Sequence, residues 1–170
     1  ISFKDYFEVK PHMLQILDRL DSLNRKKHLS HIDCVFDNYL FIDENTTRLI
    51  DWEYSGMADP LIDIAMCSIY SYLEKDEIDR LLDIYIFSKS NPDADERGFD
   101  YEQSKTDLSG AVDPVQRHIV YSYVALSGFL WALWTVYKSS FGETFGEYSL
   151  KMYRYSKDFY KILLDEGFFA

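Results

Sequence analysis

His31-Ile-Asp-Cys-Val-Phe-Asp-Asn38, followed a short distance on by Leu49-Ile-Asp-Trp-Glu53, decides how the rest of the chain is read. The pattern is H-x-D-x-x-x-x-N, then a candidate hairpin, then two apolar residues running into Asp51. Asp33, Asn38 and Asp51 are oxygen-bearing side chains on two loops that neighbouring strand ends can bring together. One carboxylate can accept a hydrogen bond from an attacking hydroxyl and aim it. An amide and a second carboxylate suit Mg²⁺, which takes few protein ligands and completes its shell with phosphate and water oxygens. Taken singly, each residue has a plainer reading: Asp33 and Asn38 as turn residues, Asp51 as a strand-end cap. Taken together, the order and spacing fit phosphoryl transfer from ATP, with Asp33 catalytic and with Asn38 and Asp51 holding metal and nucleotide phosphates.

The neighbours of these three have supporting parts. His31 is grouped with Asp33 in the catalytic loop, and its expected contribution is a hydrogen bond that steadies the loop. His28, His31 and Asp33 could alternatively form a metal cluster, but no further His lies nearby to complete it. Glu53 is a candidate metal ligand through water, or a solvated surface acid. Asp63 lies one helical turn after Asp59, where it can bond the backbone of the catalytic loop or favour a helix start.

The setting agrees with a folded enzyme domain. With 170 residues, 47% of them hydrophobic and 17% aromatic, the chain can bury a core and is not disordered. A net charge of −11 disfavours nucleic acid and anionic membranes and favours a cationic substrate. Cys34 and Cys67 form neither a disulfide framework nor a metal motif, and no signal peptide opens the chain, so a reducing cytoplasm is the expected compartment. Residues 119–137 carry no charge and approach the roughly 20-residue length of a membrane span. Ser122, Ser127, Thr135 and the scattered aromatics instead predict a buried central helix and no membrane insertion.

Periodicity predicts a mainly α fold around one small hairpin. A helix is expected over about 11–27, with Pro11 as its first residue and Arg25, Lys26 and Lys27 at its C-terminal end. Residues 29–33 read as a short strand or an extended entry to a loop. Strands follow at 39–42 and 48–51, joined by Asp43-Glu-Asn-Thr46. Asp59-Pro60 starts a helix carrying Leu61, Ile64, Ile69 and Tyr72, and another begins near Asp76. Residues 88–110 read as a long loop, with a weak helical turn near 100–106. Asp113-Pro114 opens a helix to about 139, and a last helix spans about 147–165.

On the long helix, Trp131, Trp134 and Tyr137 recur at three-residue spacing and share a face. Core packing is one reading. The other is an aromatic wall for a quaternary ammonium, where each ring contributes roughly 0.5–2 kcal/mol. Tyr153 on the last helix, with Tyr148 and Tyr155 beside it, could close such a wall.

These stretches, with Leu49-Ile-Asp-Trp-Glu-Tyr-Ser-Gly-Met-Ala-Asp-Pro60, Asp63-Ile-Ala65 and Trp131-Ala-Leu-Trp134, resemble the choline/ethanolamine kinase family. That family belongs with the aminoglycoside phosphotransferases in the protein-kinase-like fold. The resemblance implies ATP-dependent phosphorylation of the choline hydroxyl, Asp33 as the catalytic Asp, Asn38 and Asp51 as metal ligands, and Trp131 and Trp134 as choline contacts. It departs in two places. Asp37 stands where relatives often carry Pro or Gly, and Cys67-Ser-Ile-Tyr70 replaces a stretch that often holds an acid, which leaves Glu74 as the nearest. No Gly-rich loop and no strand Lys precede His31, so residues 1–170 are expected to form the C-terminal lobe alone. The N-terminal ATP-binding lobe is then absent from this chain, which should be inactive by itself. Ethanolamine, an aminoglycoside or another amino alcohol is the alternative substrate, and a non-catalytic interaction module is the alternative from outside enzymology.

Overall fold

The computed structural model describes residues 3–90 and 113–170. Five helices and two small strand pairs make up this part: α1 Tyr6–Ser22, β1 His28–Ser30, β2 Tyr39–Asp43, β3 Thr46–Leu49, β4 Gly56–Ala58, α2 Leu61–Tyr70, α3 Lys75–Ser90, α4 Pro114–Ser139 and α5 Tyr148–Asp165.

α4 is the central element. Asp113 caps it by accepting from the Val115 N–H at 3.0 Å, and Pro114 occupies the first turn, where its missing N–H is harmless. Helix α5 packs along it, α2 lies on its other side and α1 touches both α4 and α5. The shared core includes Ile16, Ile69, Ile78, Leu82, Ile119, Val124, Ala132, Met152 and Leu163, all inaccessible to solvent. By length and composition α4 could cross a membrane. Its stripe from Ile119 through Val124 and Gly128 to Thr135 is buried among the other helices, where the sequence placed a central helix. Gly128 sets the spacing of α4 and α5, because a Cβ there would lie 2.6 Å from the Met152 carbonyl oxygen and 2.8 Å from the Tyr155 Cβ.

Several boundaries differ from expectation. Helix α1 starts at Tyr6 and contains Pro11. Phe3 stacks on Tyr153 with centroids 3.8 Å apart, and Asp5 accepts hydrogen bonds from the Tyr153 hydroxyl at 3.0 Å and Lys157 at 2.5 Å. These contacts fix the chain a turn before the proline, which forgoes one helical hydrogen bond. At its other end α1 stops at Ser22. Arg25 therefore serves no helix terminus; it pairs with buried Asp59 at 2.6 Å, while Asp59 Oδ1 caps α2 by accepting from Leu61 N–H at 3.1 Å.

The architecture has a second strand pair that was not expected. β1 pairs antiparallel with β4, setting Leu29 opposite Met57. The expected hairpin forms between β2 and β3 with Tyr39 opposite Leu49, but β3 ends at Leu49, so Asp51 lies beyond the strand. Tyr72, expected on α2, lies past its end at a φ of 55°. Helix α3 runs to Ser90, beyond the predicted loop start. The remainder of that predicted loop, including the turn near 100–106, lies outside the described residues.

Candidate active site

The loop after β1 carries Asp33, and two anchors hold it. Ile32 has a φ of 72°, a genuine outlier for a β-branched residue. Its N–H and that of His31 donate to the two carboxylate oxygens of Asp63, at 2.8 and 3.0 Å. Helix α2 therefore grips the strained turn from its first turn, the backbone-bonding role weighed for Asp63 from its spacing. The second anchor is Asn38, which closes a 3₁₀ turn at Phe36–Asn38 and is 7% exposed. Its Nδ2 donates to the Asp33 carbonyl at 2.9 Å and to Asp33 Oδ2 at 3.2 Å.

The Asp51 loop is tied to the same place through Ile50. The Ile50 N–H donates to the Asn38 carbonyl at 2.9 Å. Its carbonyl accepts from His31 Nε2 at 2.8 Å. A carbonyl only accepts, so Nε2 carries the proton. The ring is 1% exposed and its Nδ1 is buried with no partner among the described residues. His31 thus joins the two loops from behind, with Trp52 edge-on to it at 4.8 Å. It does not present a free imidazole to a reactant. Asp51 follows Ile50 in a left-handed conformation, φ 61°, and both Asp51 and Glu53 are exposed.

Among the described residues no three His, Cys, Asp or Glu side chains converge as metal ligands, which leaves the His28, His31 and Asp33 alternative without support. The donor set of Asn38 and Asp51, an amide oxygen and an exposed carboxylate, is hard and sparse. It fits a Mg²⁺ ion that draws its remaining ligands from phosphate and water.

The third side of the site is aromatic. Tyr70, at the last residue of α2, donates its hydroxyl to Asp33 Oδ1 at 3.1 Å. Its ring lies 5.8 Å from that of Trp131, which meets Trp134 edge-on at 5.3 Å; Trp134 meets Phe145 at 5.2 Å. Burial and the charge of Asp33 push the Tyr70 phenol far above its ordinary value, so it stays protonated and donates. Burial, Tyr72 and Asp33 push Tyr148 up to about 12. Lys138, one turn on along the same helix, sits over the Trp134 ring at 5.6 Å while its ammonium donates to Glu143 at 2.6 Å.

Residues 3–101, more than half of the chain, match the phosphotransferase enzyme family. The chain belongs to that family. The chain is 36% identical over 121 residues to Protein LicA of Haemophilus influenzae, a stretch covering 71% of this chain and 39% of that protein. Its structure matches that of choline kinase LicA from Streptococcus pneumoniae with a TM-score of 0.67 and 27% identity, over 95% of this chain and 50% of the other. A LicA structure in complex with AMP matches with a TM-score of 0.69 at the same identity. A choline/ethanolamine kinase family protein from Mesorhizobium loti shares the fold, with a TM-score of 0.75 at 21% identity. The chain therefore spans about half or less of the length of these relatives. Its mainly α fold is that of the choline kinases over this span, as the His31–Asn38 and Leu49–Pro60 stretches implied.

Three of the other residues named for the wall, Tyr137, Tyr153 and Tyr155, do not join it. Tyr137 is 62% exposed and packs on Phe141 at 5.0 Å. Three residues past Trp134, which is 37% exposed, it has turned further towards solvent. Tyr153 is buried against Phe3 and spends its hydroxyl on Asp5, so it belongs to the α1–α5 contact. Tyr155 donates to the Leu73 carbonyl at 3.0 Å. Glu74 lines a separate cavity of about 280 Å³ with Tyr72, Lys151 and Arg154, and neither Asp33 nor Trp131 borders it. Tyr70 is the residue that sequence reasoning missed. The signal was present, since it fills the stretch where the resemblance implied an acid.

Proposed function

We propose that this chain is the C-terminal, acceptor-binding lobe of an ATP-dependent kinase that phosphorylates choline to phosphocholine. The observation that carries the reading is the unbroken chain Asp33–Tyr70–Trp131–Trp134, which links a carboxylate through one tyrosine to a pair of tryptophans. A quaternary ammonium favours ring faces, and its hydroxyl needs a carboxylate to orient it.

In this reading Trp131 and Trp134 hold the ammonium group. Asp33 accepts the hydroxyl proton's hydrogen bond and points the oxygen at the γ-phosphorus of ATP. Both Asp33 oxygens are already tied, to Asn38 and Tyr70, so its carboxylate is fixed in direction before the alcohol arrives. Asn38 and Asp51 would hold Mg²⁺, with Glu53 at its margin, and His31 keeps the two loops in register. Bound there, the ion neutralises charge on the phosphate oxygens.

The nucleotide needs a second wall, which the unmatched half of the relatives would supply as an N-terminal lobe. Supporting this, the segment from 29 to 57 exposes Leu29, Phe36, Phe41, Trp52, Tyr54 and Met57, each at least 47% accessible. Apolar side chains concentrated in this way suit a surface that such a lobe would cover.

Calorimetry of the 170-residue chain tests the acceptor site. Choline should bind more tightly than ethanolamine, and Trp134→Ala should remove the difference; equal affinities would overturn the wall. In the full-length protein Asp33→Ala should abolish ADP release with choline and Mg·ATP while sparing the fold. An unchanged kcat would remove Asp33 from its role.

A further inference from the structure

Tyr70 has two ends, each in contact with a different part of the site. Its hydroxyl donates to Asp33 Oδ1 at 3.1 Å, and its ring meets Trp131 with centroids 5.8 Å apart at 58°. Its backbone has little freedom. It is the last residue of α2, preceded by the fully buried Ile69, and the turn that follows is closed by bonds from Ser71 N–H to the Cys67 carbonyl at 3.0 Å and from Tyr72 N–H to the Ile69 carbonyl at 3.3 Å. A phenol is rigid from ring to oxygen. The separation between the carboxylate and the first tryptophan is therefore set by one stiff side chain on a helix, and the loop alone does not decide it.

Resting on the choline kinase reading, we infer that Tyr70 is the positioning residue that fixes how far the alcohol oxygen of the substrate stands from its cationic nitrogen. A short amino alcohol has two carbons between nitrogen and oxygen. An ammonium seated on Trp131 and Trp134 puts its hydroxyl within reach of Asp33 only when that spacing matches the span that Tyr70 sets. One more methylene carries the oxygen past the carboxylate. The indole N–H of Trp131 is buried without an acceptor among the described residues, so no hydrogen bond of its own fixes that ring, and contact with Tyr70 contributes to its placement.

The test uses full-length enzyme with Mg·ATP and two alcohols, choline and its three-carbon homologue. The native enzyme should favour choline in kcat/KM by about tenfold or more. Tyr70→Phe keeps the ring contact and loses the donated hydrogen bond: kcat for choline should fall about tenfold with KM and the chain-length preference unchanged. Tyr70→Leu removes the spacer, so the preference should collapse to near parity. A native preference kept intact in a folded Tyr70→Leu enzyme would overturn the inference. So would an unchanged kcat in Tyr70→Phe, which decides the matter if the leucine variant does not fold. Asp33→Ala run in parallel separates the two claims. Turnover surviving that change sinks the kinase reading itself, whereas an inactive Asp33→Ala beside native-like Tyr70 variants sinks only the spacer.

Discussion

The carboxylate of Asp63 accepts from the backbone N–H of Ile32 at 2.8 Å, and that bond crosses from helix α2 to the left-handed residue of the Asp33 loop. A left-handed β-branched residue costs about 1–3 kcal/mol and persists only where surrounding contacts over-determine it. Asp63→Ala removes the acceptor for both His31 and Ile32, so stability should fall by about 2–3 kcal/mol. Turnover in the full-length protein should fall at least as steeply as it does for an Asn38 variant. Thermal unfolding and a coupled ADP assay read the two effects. Loss of activity without loss of stability would show that the carboxylate acts on the reactants and not on the loop.

Gly128 makes a steric prediction. A methyl group there would meet the α5 backbone at 2.6 Å, and a carbonyl oxygen in the middle of a helix cannot turn aside. Gly128→Ala should destabilise by about 1–3 kcal/mol despite its better helix propensity. A lower urea midpoint at unchanged slope is the expected result.

Acid sensitivity should trace to Asp79. Burial opposes its charge, but hydrogen bonds from Tyr121 and Lys75 and the nearby Arg117 more than offset that, so its carboxyl lies below the usual range. A folded value below the unfolded one gives stability that is present above the unfolded value and lost as pH falls through the folded one. Asp79→Asn should therefore destabilise at pH 7, and the gap to wild type should close below about pH 4. Asp83, the second acid on Arg117, moves the other way, because burial outweighs that contact. Urea unfolding at the two pH values checks the assignment, and a gap that persists in acid would contradict it.

Cys34 adjoins Asp33 in sequence, yet it should be chemically quiet. Burial, then the charge of Asp63, push its thiol up to about 12, and it is 4% exposed. Because the thiolate is the nucleophile, iodoacetamide at pH 8 should leave Cys34 unmodified until the protein is denatured. Mass spectrometry of the labelled peptides reads this directly.

The elements legible in advance were those written in local chemistry. Asp113-Pro114 announced the start of α4, the 43–46 turn announced the hairpin, and the spacing of Asp33, Asn38 and Asp51 announced two loops that the bonds through Ile50 do join. What escaped was set by tertiary contacts. Residues 29–33 read as a short strand or extended entry, and β1 lies at their start. β4 and its pairing with β1 escaped, because strands of three residues are too short to show alternation and the pairing spans the whole Asp33–Asp51 segment. Pro11 looked like a helix start because nothing in the local pattern shows Phe3 and Asp5 anchoring to α5. Tyr153 looked like a wall residue because spacing along one helix does not reveal which neighbour that face meets. Tyr70 escaped for the opposite reason: its apolar ring suits a helix face, and only the fold shows where its hydroxyl points.

The placement of the indoles has a practical result. All three tryptophans in the chain, Trp52, Trp131 and Trp134, lie at the candidate site, the first against His31, the second against Tyr70 and the third against Trp131. Emission excited at the red edge of the indole band therefore originates from this region alone, so the protein carries its own optical probe. With Trp131 and Trp134 changed to phenylalanine, the remaining signal would follow the Asp51 loop by itself.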